Sequence, residues 1–189
     1  MSDYRAFYSA SEKEPTHIAL DAGESHHLVA VNRARSGAMV VVFDGHGTEW
    51  ICELIKDSKR AAELKVRFTQ RAKPLPFQIS LAQALPKGGT MDAIVRKATE
   101  IGAAKIIPLH SERTQVHLDD HRSDRKTEKW GVAALEAAKQ CGNPWLPQIE
   151  SPQNAAAFFE SAKGYDLKLI AILHPGAKSL KSVLGQHQT

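Results

Sequence analysis

The sequence predicts an α+β chain of two domains, a small β-sheet or barrel followed by an α/β domain with a parallel sheet. Short runs of alternating or β-branched apolar residues dominate residues 16–71, a pattern typical of strands. Beyond them, apolar segments of strand length alternate with segments of helical period, as in parallel sheets with crossover helices. Two prolines in residues 70–77 favour an extended linker between the two patterns. We therefore predict domains at 1–72 and 73–189.

Composition and charge narrow the class of protein. Of the 189 residues, 42% are hydrophobic and 24% are charged, which is typical of a globular chain rather than a disordered one. The longest apolar runs fall far short of the roughly 20 residues that span a bilayer, and no apolar signal core follows Met1. Cys52 and Cys141 are the only cysteines, too few for a disulfide framework. We expect a cytoplasmic protein with reduced thiols and no membrane contact.

The first domain is predicted to hold four strands and one short helix. The strands are expected at 16–20, 38–43, 49–55 and 62–68, and the helix at 24–31. Two of these strands are joined by residues 44–47, where an Asp and two glycines supply what a tight hairpin turn requires. The segment therefore predicts an antiparallel hairpin in a small sheet or barrel.

The second domain is predicted to alternate strands and helices. Strands are expected at 78–85, 105–109 and 167–173, and helices at 91–101, about 127–141 and 153–162. For the first helix, Thr90 is the expected N-cap and Gly102 the expected left-handed C′ residue. The second helix carries a stripe of small side chains that leaves room for close packing, formed by Ala133, Ala134, Ala137 and Ala138.

Basic residues concentrate in one segment. The net charge of the whole chain is +4, but residues 56–73 hold seven Lys and Arg against two acidic residues, a net +5. Such a segment can track a nucleic-acid backbone, since each phosphate neutralised releases counterions. A solvated sheet face explains the same run equally well, and both interpretations remain open at this point.

Common catalytic and metal motifs are absent. The sequence has no phosphate-binding P-loop, no dinucleotide fingerprint, no paired-His zinc helix and no nucleophile elbow. Most of the nine histidines stand alone among charged residues, so we predict no metal site. The segment Lys87–Gly88–Gly89 before a helix is either an anion-binding turn or, more commonly, a plain strand-to-helix connection.

Polar residues from two helices and one strand end are expected to converge. Open α/β sheets bind ligands at the carboxyl ends of their strands, which makes this group either a binding site or a set of structural ion pairs. The group comprises Arg96, Glu100, Glu112, Arg113, Glu136 and Gln140.

Four segments of the second domain resemble one known family. They read MDAIVRKATEIG at 91–102, IPLHSER at 107–113, EAAKQCG at 136–142 and LPQI at 146–149. The first domain agrees, with HHLVAVNR at 26–33 and FDGHG at 43–47. Together they resemble the RsmE family, methyltransferases that transfer a methyl group from S-adenosylmethionine to the ring nitrogen N3 of a uridine in 16S ribosomal RNA.

The resemblance implies the fold, the cofactor and the partners. It implies a PUA-like RNA-binding barrel, a SPOUT-type methyltransferase domain with a trefoil knot, a homodimer, and 16S ribosomal RNA of the small subunit as substrate. The alanine stripe would serve the dimer contact. Two positions depart from the family pattern, Asn32 where Leu is usual and Asn143 where Arg is usual. The second departure weakens a phosphate contact at that loop.

The resemblance also implies site residues. The strand end that would line the adenosine pocket of S-adenosylmethionine is Leu173, His174 and Pro175. The residues that the resemblance implies as RNA-facing are Arg33 of the barrel and Arg96, Lys97, Glu100 and Arg113 of the second domain. We expect Arg35 to lie on the same RNA-binding face of the barrel as Arg33. Arg96 or Arg113 would stabilise the uridine anion that forms when N3 loses its proton. No residue stands out as the catalytic base, and no metal is implied.

The family pattern continues beyond the His-Pro strand, whereas this chain ends at Thr189. The Gly-Pro-Glu-Gly-Gly loop and the Leu-Gly-x-Arg segment that would form the knot are absent from these residues. The resemblance therefore implies that the 189 residues alone are inactive. The alternative function is a non-catalytic RNA-binding and dimerisation module.

Overall fold

The structure is a computed structural model that describes residues 4–9, 14–111 and 120–186. Within these residues, the first domain contains five strands and one helix that continues into a π-helix. The strands are β1 (Tyr4–Phe7), β2 (His17–Ala19), β3 (Met39–Phe43), β4 (Thr48–Lys56) and β5 (Glu63–Arg71), and the helix is α1 (Ala22–His26), followed by the π-helix His27–Val31. The second domain contains strands β6 (Ser80–Ala84), β7 (Lys105–His110), β8 (Gln148–Ile149) and β9 (Gln153–Asn154), and helices α2 (Thr90–Glu100), α3 (Asp120–Cys141), α4 (Ala155–Ser161) and α5 (Leu180–Gly185).

The first domain is a curled sheet in the order β1-β3-β4-β5-β2. All pairings are antiparallel except that of β1 with β3. Because side chains alternate across a strand, every second residue of β4 points inward, and Trp50, Cys52 and Leu54 are almost fully buried. They join a core that also contains Ala6, Ile18, Leu20, Leu28, Val29, Ala34, Val40, Val42, Ala62 and Leu64.

The second domain is an open sheet in which β7 pairs in parallel with β6, β8 and β9. Helices α2 and α3 pack against each other and share a core with this sheet. The apolar stripe of α2 meets the stripe of α3 there, through Met91, Val95, Ala98, Trp130, Ala133 and Ala134. The two predicted domains, a small curled sheet followed by an α/β domain with a parallel sheet, are confirmed.

Several local predictions differ from the structure. Gly102 takes the expected left-handed conformation after α2 (φ 83°), but the N-cap of that helix is Gly89 rather than Thr90. Helix α3 begins at Asp120, earlier than predicted, and residues 153–154 form strand β9 before α4 begins. Strand β1 was not predicted, since its four residues lie next to an N-terminal stretch without a clear period.

The predicted strand at 167–173 is wrong. These residues have no regular secondary structure and pair with no strand of the described chain. The apolar side chains of Leu169, Ile170 and Ile172 are more than half exposed. An alternating apolar pattern forms a strand only where a neighbouring strand satisfies its backbone and a core covers one face.

The alanine stripe of α3 was interpreted as a dimer contact, and this interpretation is wrong for these residues. Ala133, Ala134, Ala137 and Ala138 are at most 5% exposed within the single chain. The small side chains allow α3 to approach α2 and the barrel strand β1 closely. A dimer would therefore have to use other surfaces.

The predicted hairpin turn joins β3 to β4 and also contacts the second domain. Asp44 Oδ1 accepts hydrogen bonds from the amides of His46 and Thr48, which closes the turn. The Gly47 amide donates to the Pro144 carbonyl (3.1 Å), and the Leu146 amide donates to the Gly45 carbonyl (2.9 Å). The turn therefore fixes the barrel to the segment that follows α3.

Candidate functional site

A cleft of about 920 Å³ separates the outer face of the barrel from helices α2 and α3. Side chains of four barrel strands, the π-helix and two helices of the second domain reach it, so both domains contribute. Its lining residues are Arg5, His27, Asn32, Val41, Glu49, Ile51, Gln70, Arg96, Glu136, Lys139, Gln140, Cys141 and Gly142. The cleft is the candidate site because it brings together residues from across the chain that the topology places on facing surfaces.

A buried charge network forms the barrel wall of the cleft. Arg5 of β1 pairs with Glu49 of β4 at 2.9 Å, and its guanidinium lies 5.0 Å from the centroid of the Phe43 ring. The Gln70 side-chain amide donates to the other oxygen of Glu49 at 2.9 Å. Because both Glu49 oxygens are engaged, the carboxylate is satisfied and Arg5 is held in one orientation.

The helical wall carries the ion pair between Arg96 of α2 and Glu136 of α3, at 2.6 Å. The two side chains are 42% and 52% exposed, so the pair holds Arg96 beside the cleft while leaving it open to a ligand. The predicted convergence of Arg96, Glu136 and Gln140 is thus observed. Glu100 lies outside the cleft lining and pairs with Lys97 at 2.7 Å. Glu112 and Arg113 lie outside the described residues.

An ion pair between Glu24 and Lys139 joins the two domains. Glu24 of α1 also accepts a hydrogen bond from the Phe7 amide at 2.8 Å, and both charged side chains are only 11% exposed. A buried pair of this kind holds the two domains in one arrangement, because separating the partners would leave an uncompensated buried charge. No sequence pattern predicts this pair, since the partners lie 115 residues apart.

Arg33 and Arg35 lie on the barrel after an unusual helix end. The π-helix ends with the Asn32 amide donating to the His27 carbonyl at 2.9 Å, and Arg33 takes a left-handed backbone conformation (φ 60°). Such a conformation costs about 1 kcal/mol for a non-glycine residue. Both arginines are exposed. The Gly37 amide donates to the Leu54 carbonyl at 2.8 Å, which brings this loop beside the end of β4.

The basic segment 56–73 is partly neutralised in the structure. Lys56 pairs with Glu63, and Arg67 pairs with Glu53 of the neighbouring strand. Arg71 lies against Trp145, with its guanidinium 5.8 Å from the ring centroid. Lys59, Arg60 and other basic residues of the segment remain exposed. The segment therefore combines ion-paired and solvent-facing cations. This arrangement is compatible both with a nucleic-acid contact and with a solvated sheet face.

The residues predicted to line a cofactor pocket lie apart from the cleft. Leu173 is fully exposed and Pro175 is exposed. His174 Nδ1 accepts a hydrogen bond from the Gly176 amide at 3.0 Å, which forms a local turn. Leu173, His174 and Pro175 do not line the cleft, and their exposure means that the described residues do not form a pocket around S-adenosylmethionine here.

Further features of the described residues narrow the chemistry. Both cysteines are free, and burial raises the pKa of the Cys52 thiol to about 12, so Cys52 is not a nucleophile near neutral pH. Among residues 4–9, 14–111 and 120–186, no group of three or more His, Cys, Asp or Glu could hold a metal ion. Within the same residues, no helix is long and apolar enough to cross a membrane.

Comparison with known proteins assigns a class to this two-domain arrangement. A family model described as an RNA methyltransferase domain matches residues 73–189, and a model described as an RNA methyltransferase PUA domain matches residues 20–67. The matches follow the same order as the barrel and the α/β domain. Because the first model covers more than half of the chain, the chain belongs to this family of RNA methyltransferases.

Curated relatives that resemble this chain share one name. A protein of Bacillus subtilis named ribosomal RNA small subunit methyltransferase E is 31% identical over 161 residues, 85% of this chain and 62% of the relative. A Synechocystis protein of the same name is 30% identical over 184 residues, 97% of this chain and 59% of the relative. The chain thus spans about three fifths of the length of these relatives.

Solved structures show the same fold. A Legionella pneumophila methyltransferase, solved with bound S-adenosylmethionine, is 28% identical, covers 94% of this chain and superposes with a TM-score of 0.84, over 73% of its own length. A ribosomal RNA small subunit methyltransferase E of Neisseria gonorrhoeae is 24% identical with a TM-score of 0.75 and covers 86% of this chain and 66% of its own. The family resemblance seen in the sequence is confirmed.

Proposed function

We propose that this chain supplies the RNA-binding barrel and part of the catalytic domain for S-adenosylmethionine-dependent methylation of uridine N3 in 16S ribosomal RNA. The observation that carries this proposal is the match of both domains, in order, to the RNA methyltransferase models. The cleft between the domains supports it, since a cleft lined by both is a place where a barrel could hold RNA against α2.

The chemistry at N3 requires charge stabilisation. The N3 proton must leave before or during methylation, and the resulting negative charge is stabilised by positioned cations or hydrogen-bond donors. Arg96 meets this need best among the described residues, because its pairing with Glu136 orients the guanidinium at the cleft. The target base must also leave any stack in the RNA, at a cost of a few kcal/mol.

The described residues do not complete a pocket for S-adenosylmethionine. Leu173 is fully exposed, whereas a pocket for a ligand of this size covers most of its surface. We therefore expect the 189-residue chain to hold RNA without binding S-adenosylmethionine or transferring a methyl group. A cytoplasmic location and a homodimer belong to the same proposal, the first because the names of the relatives state a ribosomal RNA substrate. The dimer surface would include exposed apolar side chains such as Ile101 and Val132.

RNA binding is tested by filter retention of 16S ribosomal RNA in a salt series. We expect affinity to fall at least tenfold between about 50 and 200 mM salt, since phosphate contacts release counterions. The double variant Arg33→Glu with Arg67→Glu should bind more weakly, and the double variant Lys163→Glu with Lys168→Glu, two exposed positions outside the cleft lining, is the control with the same change in charge. RNA retention that changes neither with salt nor with the charge reversal at Arg33 and Arg67 would contradict electrostatic binding.

Methyl transfer is tested by joining this chain to the remaining C-terminal residues of the Bacillus subtilis relative. The fusion, given labelled S-adenosylmethionine and small ribosomal subunits, should label a uridine at N3, and Arg96→Ala should reduce the rate. The relative itself is the positive control. A fusion that folds and binds S-adenosylmethionine but labels no uridine would overturn the proposal in favour of the non-catalytic RNA-binding module.

A further inference from the structure

Phe68 is an exposed aromatic residue on the face of the barrel that forms the cleft. The strand register places Arg5 opposite Val41, Val41 opposite Ile51, and Ile51 opposite Phe68. The first three line the cleft. Phe68 therefore ends a row of side chains that crosses four strands on one sheet face.

The neighbours of Phe68 place its ring at the rim of the cleft. Gln70, two residues further along β5 and so on the same face, also lines the cleft. The strand register shifts beside Phe68, so that Arg67 is the extra residue of a bulge. Bulges re-aim side chains and are common next to functional sites. The ring is 56% exposed, whereas Val41 and Ile51 in the same row are half-buried.

Cations lie on both sides of Phe68, most of them in ion pairs with neighbouring carboxylates. Lys65 and Arg67 precede Phe68 on β5, with Arg67 paired to Glu53, and Arg5, Arg96 and Lys139 line the cleft in the ion pairs described above. An aromatic ring that is flanked by cations suits single-stranded nucleic acid, because a base stacks on the ring while the cations meet the phosphates on either side. A purely apolar partner would have to desolvate these charges.

We propose that Phe68 is a stacking platform for one unpaired base of the RNA that enters the cleft. This inference rests on the proposed RNA-binding function and names a recognition residue within it. The ring accepts any base, since every base has a π face. Phe68 therefore selects unpaired RNA over duplex RNA rather than a particular sequence.

The experiment compares RNA affinity of four variants of the full chain by fluorescence anisotropy. The probes are a uridine-containing single-stranded oligonucleotide and a duplex of the same sequence. Phe68→Ala and Phe68→Leu should each lose about tenfold affinity for the single strand, since stacking on one ring accounts for roughly five- to hundredfold. Phe68→Tyr keeps the ring and should bind within about twofold of the wild type.

The matched control is Phe159→Ala, because Phe159 lies on α4 away from the cleft and is similarly exposed, at 60%. It should leave affinity unchanged, and none of the variants should change duplex binding. Circular dichroism checks that the variants fold. A wild type that binds RNA while Phe68→Ala binds equally well overturns the stacking role alone. A wild type that binds no RNA overturns the proposed function and this inference together.

A contact between two copies of the chain is the competing use of an exposed ring. If light scattering shows a dimer that Phe68→Ala dissociates, and RNA affinity is unchanged, the ring belongs to that contact and the stacking role is wrong. If the oligomeric state is the same for both proteins while affinity falls, the stacking role is supported.

Discussion

Two segments of the chain are similarly apolar but differ in structure. Met39–Phe43 reads MVVVF and forms strand β3, with Val40, Val42 and Phe43 fully buried. Residues 167–173 read LKLIAIL, carry the same kind of side chains, and form no strand. The difference lies in the neighbours, since β3 pairs with β1 and β4, whereas no described strand pairs with 167–173. Local pattern permits a strand, and tertiary pairing decides it.

The largest expected effect is on the free energy of unfolding, for which a buried residue of the barrel core is compared with an exposed residue of 167–173. Trp50→Ala removes a ring that is 1% exposed from the barrel core, and we expect a loss of about 3–5 kcal/mol in the free energy of unfolding. Ile170→Ala, at a side chain that is mostly exposed, should change it by less than about 0.5 kcal/mol. Urea unfolding followed by circular dichroism measures both. An Ile170→Ala cost comparable to that of a core variant would show that 167–173 packs in solution.

The contact between the domains should depend on the buried ion pair. Lys139→Met leaves Glu24 without its partner, and we expect a loss of about 3 kcal/mol. Lys129→Met is the matched change on the same helix, where the exposed pair with Asp92 contributes about 1 kcal/mol or less. Unfolding in urea measures the difference, and limited proteolysis of residues 72–79 reports whether the barrel has separated. Equal costs for the two variants would contradict a fixed domain contact.

A substitution in the hairpin turn should have a smaller effect on stability, and it tests the contact between the barrel and the segment that follows α3. Gly47 and Gly37 both have positive φ angles, 91° and 89°, so an alanine is strained at either position. At Gly47 the added Cβ would also lie 2.2 Å from the Trp145 ring, whereas nothing lies within 4 Å at Gly37. Gly47→Ala should therefore cost about 1–3 kcal/mol more than Gly37→Ala. Equal thermal stabilities of the two variants would mean that the turn does not contact Trp145.

The smallest expected effect is on the reactivity of the two thiols, one from each domain. Cys141 is exposed, whereas Cys52 is buried with a pKa raised to about 12 by desolvation. A raised pKa keeps the thiol protonated, so at pH 8 only Cys141 should react rapidly with a disulfide reagent. Both should react in denaturant.

Because unfolding lowers the pKa of Cys52 to about 9, this residue's contribution to stability is present below that pH and is lost as pH rises towards 12. Two fast thiols in the native protein would show that the barrel core opens.

How much was predictable differs between the parts of the molecule. The hairpin at 44–47, helix α2 and strand β7 follow from local patterns that the fold reinforces, and the family resemblance identified both domains. The pair Glu24–Lys139 and the row ending at Phe68 could not be predicted, because each depends on long-range register. The alanine stripe of α3 predicted close packing correctly, but a pattern of small residues does not say whether the partner lies in the same chain or in another.

Isothermal titration of the 189-residue chain against two ligands tests the central claim most directly. The barrel and cleft are formed in the described residues, whereas Leu173, His174 and Pro175 stand exposed. We therefore expect a fragment of small-subunit ribosomal RNA to bind with an affinity that weakens as salt rises, and S-adenosylmethionine to give no measurable heat of binding. Micromolar binding of S-adenosylmethionine, or no binding of the ribosomal RNA fragment, would contradict this account.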